Sequence, residues 1–383
     1  MQPSLNGGFV VEEAELNSLS EKAGFSYDWK KTYDENYDFG PYCGLSTEDF
    51  ASVDSIRKEL DSKNPKRKFL GFTVNAPIGI AAGPLLNSKF VNLYARLGLD
   101  MPVQKTVRSV ATKVHPFPNV MLVNIDHQLE ENEVGSRTVG RLDAEQKQLS
   151  ITNSFGMPSK AIEEWQEDFK KLRLNEGQLK MISVVGTPSK PLPEDFANLA
   201  QLGFEAGAQV VELNFSCPNV VGAEGMVYCY PVPAKEICKA VREQVGSGKK
   251  IQAKLGYYND RETMKQVLSG ISEFVDGVCA INTIPLEIVD ENGNQAMPGQ
   301  GRLRSGVCGF AIKNMALNTV KSMVEENEKQ GFGLAITGVG GITCAQDALE
   351  FLDAGADAVQ IATGAMWDQM LGLKIKLALS QRG

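Results

Sequence analysis

The segment Glu212-Leu213-Asn214-Phe215-Ser216-Cys217-Pro218-Asn219 sets a thiol between two asparagines, just after the β-branched pair Val210-Val211. A strand that ends this way delivers a thiol and two carboxamides to its carboxyl end. A carboxamide donates and accepts at once, so a pair of them suits a planar ligand with alternating C=O and N–H groups. A thiol beside that ligand can act as general acid or base. The alternative is a buried structural cysteine flanked by turn-forming asparagines. These eight residues alone leave both readings open.

The elements that would carry such a site follow a regular alternation from about residue 69. Short apolar runs at 78–82, 101–105, 181–185, 210–214, 251–255, 277–281, 333–337 and 358–361 read as strands. Amphipathic segments at 88–97, 193–203, 233–245, 261–274, 311–326 and 344–354 have helical period. Eight such alternations predict an α/β fold, a (β/α)8 TIM barrel. An open doubly wound sheet is the second choice, weakened because no G-x-G-x-x-G follows the first strand. The long connection 106–180 is expected to lay an insert over the carboxyl-terminal mouth of the barrel. Residues 1–61 carry 13 acidic and 5 basic side chains. They predict an amino-terminal acidic extension (1–68) before the barrel (69–383). A disordered tail is the competing reading, and the aromatics Tyr27, Trp29, Tyr33, Tyr37 and Tyr42 favour docking. The basic cluster Lys63, Lys66, Arg67 and Lys68 reads as a solvated turn.

In a barrel the carboxyl ends of the strands face the active site. Here they bring Ala81-Ala82-Gly83, Lys105-Thr106, Asn214 to Asn219, Lys254, Asn282-Thr283, Thr337 to Gly341 and Ala362-Thr363-Gly364. Lysine is seldom buried without a partner, so Lys105 and Lys254 suggest anionic ligand groups. The plain alternative is that both strand ends are wet. Gly340-Gly341 and Thr363 end strands seven and eight, where barrels commonly hold phosphate on backbone N–H groups. Ser305-Gly306, read as part of a glycine-rich loop, could add donors. A flavin explains the phosphate loops, the lysines and the amides together. A sugar phosphate explains the loops but less of the rest.

The bulk composition narrows the partners. The chain has 383 residues, 43% hydrophobic and 22% charged, with a net charge of -8. An acidic surface argues against nucleic acid, because no basic surplus exists to neutralise phosphates. No apolar run approaches the roughly 18–20 residues of a membrane span, and the first residues lack a signal-peptide layout. Seven cysteines, an odd number without a C-x-x-C pair, fit reduced thiols in a cytoplasm. Two histidines, His115 and His127, leave a His-based triad or multi-histidine metal site without its parts.

Several ordered motifs together resemble the dihydroorotate dehydrogenase superfamily of FMN barrels over roughly residues 70–375. They are Q-K-T (104–106), N-S-F-G-M-P (153–158), N-F-S-C-P-N (214–219), A-K-L (253–255), I-N-T (281–283), T-G-V-G-G-I (337–342) and Q-I-A-T-G (360–364). The resemblance implies FMN as cofactor and oxidation of dihydroorotate to orotate in pyrimidine biosynthesis. Cys217 would be the general base, as in the soluble class 1 enzymes. Asn153, Asn214, Asn219 and Asn282, with Thr283, would hold the pyrimidine. Phe155, Gly156 and Met157 would offer backbone N–H groups to its carboxylate. Lys105 would lie between flavin and substrate, and Lys254 against the isoalloxazine. Ala82, Gly83, Thr106, Gly306, Gly340, Gly341, Ala362 and Thr363 would complete the FMN site. The family further implies a cytoplasmic homodimer and a soluble acceptor such as fumarate.

Departures from the family pattern keep alternatives in view. Ala81-Ala82-Gly83-Pro84 is closer to the membrane-bound class than to class 1. Ser159 replaces the asparagine usual after the proline of the carboxylate loop. Residues 220–230 and the insert 287–304 are similar to the pyrimidine-reducing domain of dihydropyrimidine dehydrogenase, whose substrates carry no carboxylate. A reductase of another cyclic amide is therefore one alternative, and a non-redox sugar-phosphate barrel enzyme is another.

Overall fold

The computed structural model describes residues 11–143, 148–216 and 226–382. Eight strands pair in parallel in chain order: β1 (Ile78–Ile80), β2 (Met101–Val107), β3 (Met181–Val184), β4 (Val210–Asn214), β5 (Lys250–Lys254), β6 (Gly277–Ala280), β7 (Ala335–Val339) and β8 (Ala358–Ile361). The ring closes where Val359 of β8 registers with Ile78 of β1. Closure excludes the open-sheet alternative. Every residue of β2 and β4 is buried. Strands covered by helices outside and side chains inside read as continuous apolar runs rather than alternating ones.

Helices Ser88–Arg96, Leu192–Glu205, Pro231–Val245, Arg261–Ile271, Lys313–Gln330 and Ala345–Asp353 wrap the ring. Their starts are set by local chemistry. Asp260, for example, accepts the N–H groups of Glu262 and Thr263, satisfying donors that a helix start leaves open. Three strands are corrected by two residues: β1 ends at Ile80, not at 82, β2 runs on to Val107, not 105, and β7 begins at Ala335, not at 333. Gly331 ends the preceding helix in the left-handed conformation, and Gly333 keeps φ positive at 70°. The turn consumes the residues that looked like strand.

Five further strands close a second, smaller barrel over the mouth: Val120–Val123, Arg137–Arg141, Ser150–Asn153, Ile284–Val289 and Arg304–Gly309. The first three come from the long β2–β3 connection and the last two from the β6–β7 connection. The expected glycine-rich loop at 305–306 is therefore a strand. Gly306 registers with Pro285 on one side and Asn153 on the other. The basic cluster is likewise partly a hairpin, Arg67–Phe69 paired with Phe72–Val74.

The amino-terminal extension folds as helices Glu13–Ala23, Tyr33–Phe39 and Thr47–Lys63. Leu16, Leu19, Val53, Ile56 and Leu60 bury into the same core as the barrel. Thr32 and Ser46 start the second and third helices with capping boxes. The buried ammonium of Lys376 pairs with Asp61 at the end of the third helix and with Asp100 before β2. Among the described residues no helix is long and apolar enough to cross a membrane.

Candidate active site

The carboxyl ends of seven of the eight strands, all but β3, and the underside of the small barrel enclose a cleft of about 1280 Å³, its mouth included. Ala82, Gly83, Lys105, Thr106, Asn153, Phe155, Met157, Asn214, Lys254, Asn282, Thr283, Gly340, Gly341, Ala362 and Thr363 all line it. Gly156 and Gly306 do not. Cys217 and Asn219 lie outside the described residues, as do residues 220–225 of the loop singled out above.

Register explains how distant residues meet. Asn214 of β4 lies opposite Lys254 of β5, and Lys254 opposite Cys279 of β6. The Lys254 ammonium donates to Cys279 Sγ at 3.4 Å, and that thiol donates to Gln360 Oε1 at 3.3 Å. Burial pushes the Cys279 thiol up to about 12, against the pull of Lys254. The thiol thus stays neutral, and Lys254 has no carboxylate within 4.0 Å among the described residues. A buried ammonium with only a neutral partner is costly, and an anionic ligand group would relieve it.

Lys105 and Thr106 sit where β2 slips register against β3. Such a bulge re-aims side chains, and bulges are frequent beside active sites. Lys105 Nζ stands 4.8 Å from the centroid of the Phe155 ring. Thr106 Oγ1 donates to Ser183 and accepts from Asn214 Nδ2 at 3.2 Å. The Asn282 amide donates to the backbone carbonyl and the hydroxyl of Ser216, the residue directly before Cys217. Asn153 Nδ2 donates to the Cys308 sulfur at 3.8 Å, so all three described asparagines also brace the site itself.

The loop after Asn153 is held from several sides. Arg302, buried, donates to the carbonyls of Ser154, Pro116, Pro118 and Pro298. Arg108 Nε holds the Met157 carbonyl at 3.2 Å. Gly156 takes φ of 75°, and a Cβ there would meet the His115 ring at 2.3 Å. That packing, not contact with the cleft, explains the glycine. The N–H groups of Phe155, Gly156 and Met157 find no acceptor among the described residues. Ser159 is used elsewhere: its Oγ accepts the N–H of Arg108 at 3.0 Å.

At the ends of β7 and β8 the N–H groups of Gly340, Gly341, Thr363 and Gly364 likewise have no acceptor among the described residues. Thr363 Oγ1 instead donates to the Cys308 sulfur at 3.3 Å. Gly341 stands against Lys313, the first residue of the helix before β7, whose ammonium pairs with Asp347 of the helix after β7 at 2.6 Å. Asp347 also accepts from Thr343 and Cys344, pinning the loop. Burial opposes ionisation of Asp347, yet the Lys313 ammonium and the Thr343 N–H outweigh it and hold the carboxyl below its usual value. Converging N–H groups in a cleft with a buried ammonium fit a ligand that carries both a phosphate and an anionic ring. Gly83 adds room, since a Cβ there would meet nothing within 4 Å.

Comparison with known proteins agrees with this geometry. The family model described as dihydroorotate dehydrogenase matches residues 66–381. The chain belongs to the dihydroorotate dehydrogenase family. A dihydroorotate dehydrogenase of Dictyostelium discoideum is 35% identical over 361 residues, 91% of this chain and 95% of that protein. The catalytic subunit of dihydroorotate dehydrogenase B (NAD(+)) from Methanocaldococcus jannaschii is 30% identical over 215 residues, 56% of this chain and 66% of that one. The NAD-dependent dihydropyrimidine dehydrogenase subunit PreA of Escherichia coli K12 is 35% identical over 179 residues, 45% of this chain and 42% of that protein. The fold is shared with DHODH of Eimeria tenella, solved with ferulenol, at a TM-score of 0.65 and 16% identity, covering 87% of this chain and 92% of that one.

Among the residues lining this cleft, the sequence did not single out Glu212, Gln360, Cys308 or Tyr27 as site residues. Glu212 and Gln360 had a signal. Each lies two residues before a chosen position, Asn214 and Ala362, and strand side chains two apart share a face. Cys308 and Tyr27 had none, because the strand carrying one and the extension carrying the other reach the cleft only through tertiary packing.

Proposed function

We propose that the chain is an FMN-dependent dehydrogenase that oxidises dihydroorotate to orotate. The observation that carries this reading is the convergence of Lys105, Lys254, Asn153, Asn214 and Asn282 on one cleft in a chain of this family. Gly340, Gly341, Thr363 and Lys254 would hold the cofactor, with Ala82, Gly83 and Thr106 along its ring. When bound, FMN supplies the hydride acceptor.

The protein's part is positioning and proton transfer. The asparagines orient the dihydropyrimidine, and the N–H groups of Phe155, Gly156 and Met157 receive its carboxylate. Cys217 takes the proton from a ring carbon as a hydride leaves the neighbouring one. A free thiol ionises near about 8.5, so the rate should follow thiol ionisation. Asn282 supports this by tethering Ser216. The six described cysteines are unpaired, in keeping with a reducing cytoplasm. We read the acceptor as soluble, fumarate or a similar compound, and the assembly as a homodimer by family likeness.

The test is an absorbance spectrum of the purified protein followed by anaerobic dihydroorotate. A yellow protein that bleaches supports both cofactor and substrate. A yellow protein that ignores dihydroorotate but responds to uracil favours the second reading, a dihydropyrimidine dehydrogenase-like activity. That reading rests on the local likeness to PreA. A protein that cannot be loaded with FMN overturns both.

A further inference from the structure

Tyr27 lies between the first two helices of the extension, far in sequence from every motif above. Its neighbours clamp it. The Ser26 N–H donates to the Met366 carbonyl at 3.3 Å, and Ser26 Oγ donates to the Tyr94 hydroxyl, which itself donates to the Ala365 carbonyl at 2.9 Å. On the other side, Asp28 exchanges hydrogen bonds with the Asn36 side chain, both at 2.9 Å. The backbone of Tyr27 is thereby tied to the segment after β8.

The Tyr27 ring meets Phe155 of the carboxylate loop edge-on, with centroids 6.3 Å apart. Phe155 in turn lies under the Lys105 ammonium. Tyr27 is only 3% exposed, and it lines the cleft. Its hydroxyl has no hydrogen-bond partner among the described residues, yet it is not one of the hydroxyls sealed in the core. A buried tyrosine hydroxyl normally finds a partner, and an unmet one is a standing cost. Burial raises its ionisation well above the ordinary value, which keeps the O–H available as a donor.

We propose that Tyr27 is a ligand-binding residue whose hydroxyl donates to an oxygen acceptor of the molecule in the cleft, a carbonyl or carboxylate oxygen of the cyclic amide or a carbonyl of the flavin. The amino-terminal extension is then part of the site, and its role is to complete the wall beside Phe155. This rests on the proposed function above.

The test uses full-length protein and Tyr27→Phe, which keeps the ring on Phe155 and removes only the hydroxyl. Apoprotein is titrated with FMN by flavin fluorescence, and oxidised holoprotein with orotate by the flavin spectrum. Roughly tenfold weaker binding in one arm, with unchanged apoprotein melting, is expected for one lost hydrogen bond in a desolvated site. Loss in the orotate arm assigns the acceptor to the substrate, and loss in the FMN arm assigns it to the flavin. Unchanged affinity in both arms overturns the inference. So does an apoprotein melting point lowered as far as in Tyr27→Ala, because the hydroxyl then serves the fold. Wild-type protein that binds neither probe overturns the functional reading, and the inference falls with it.

Discussion

Replacing Gly341 with alanine separates a backbone requirement from a packing requirement at the proposed phosphate cradle. Gly341 takes φ of 72°, and an added Cβ would stand 2.5 Å from Cα and 2.6 Å from N of Lys313. These are backbone atoms of a helix held by the Lys313–Asp347 pair, so they cannot swing aside as a side-chain tip would. The left-handed conformation alone costs a non-glycine residue about 1–2 kcal/mol. Overpacking against fixed neighbours adds about 1–3 kcal/mol. Gly331 is the matched control: its φ is 67°, and a Cβ there would meet nothing within 4 Å. Chemical denaturation of the apoproteins should therefore show Gly341→Ala destabilised about 2–5 kcal/mol, and Gly331→Ala only about 1–2 kcal/mol. FMN affinity should fall roughly tenfold or more for Gly341→Ala, since the loop must shift to relieve the overlap. It should hold for Gly331→Ala. Equal destabilisation of the two variants, with unchanged FMN binding, would refute the reasoning.

Four other outcomes are expected. Lys254→Met should lower kcat/KM by roughly a hundredfold. The same change should raise apoprotein stability, because it removes a buried charge without a carboxylate partner; a destabilised apoprotein would count against that account. Arg302→Met should remove one donor from each of four carbonyls around the proposed carboxylate loop, leaving those of Pro118 and Pro298 with no donor among the described side chains; we expect a loss of about 3 kcal/mol or more, read by denaturation, with orotate affinity falling further than FMN affinity. For Asp347 the folded carboxyl titrates below its usual value of 3.8. Its stabilisation is therefore present above that value and lost as pH falls through the folded one, so the stability gap between wild type and Asp347→Asn should shrink on acidification, and a gap that widens would show the sign to be wrong. Cys217→Ser should move the alkaline-favouring limb of the rate profile to higher pH while leaving FMN binding intact, and an unmoved profile would take Cys217 out of the proton step.

How much of this was legible in the chain depends on the range of the interaction. The helices were legible because amphipathic period is local, and 233–245 and 261–274 fall within three residues of the observed Pro231–Val245 and Arg261–Ile271. The barrel strands were legible because burial on both faces leaves continuous apolar runs. Where local signal competed with turn chemistry it failed, as at β7, where Gly331 and Gly333 bend the chain before the strand begins. The small barrel was hidden because its strands are short and contributed by two separate insertions.

The sequence by itself determined which residue types stand at the ends of which strands, and so the family and the chemistry it can do. That information is local and ordered along the chain. Only the tertiary structure decided which of those side chains meet. It set Lys254 against Cys279 through strand register and re-aimed Lys105 through a register slip. It turned Gly156 toward His115 instead of the cleft, and it brought Tyr27 from the extension to the wall of the site. Each of these is a contact between residues distant in sequence, fixed by closing a ring of strands and packing other segments on it, and no local pattern encodes the geometry of that closure.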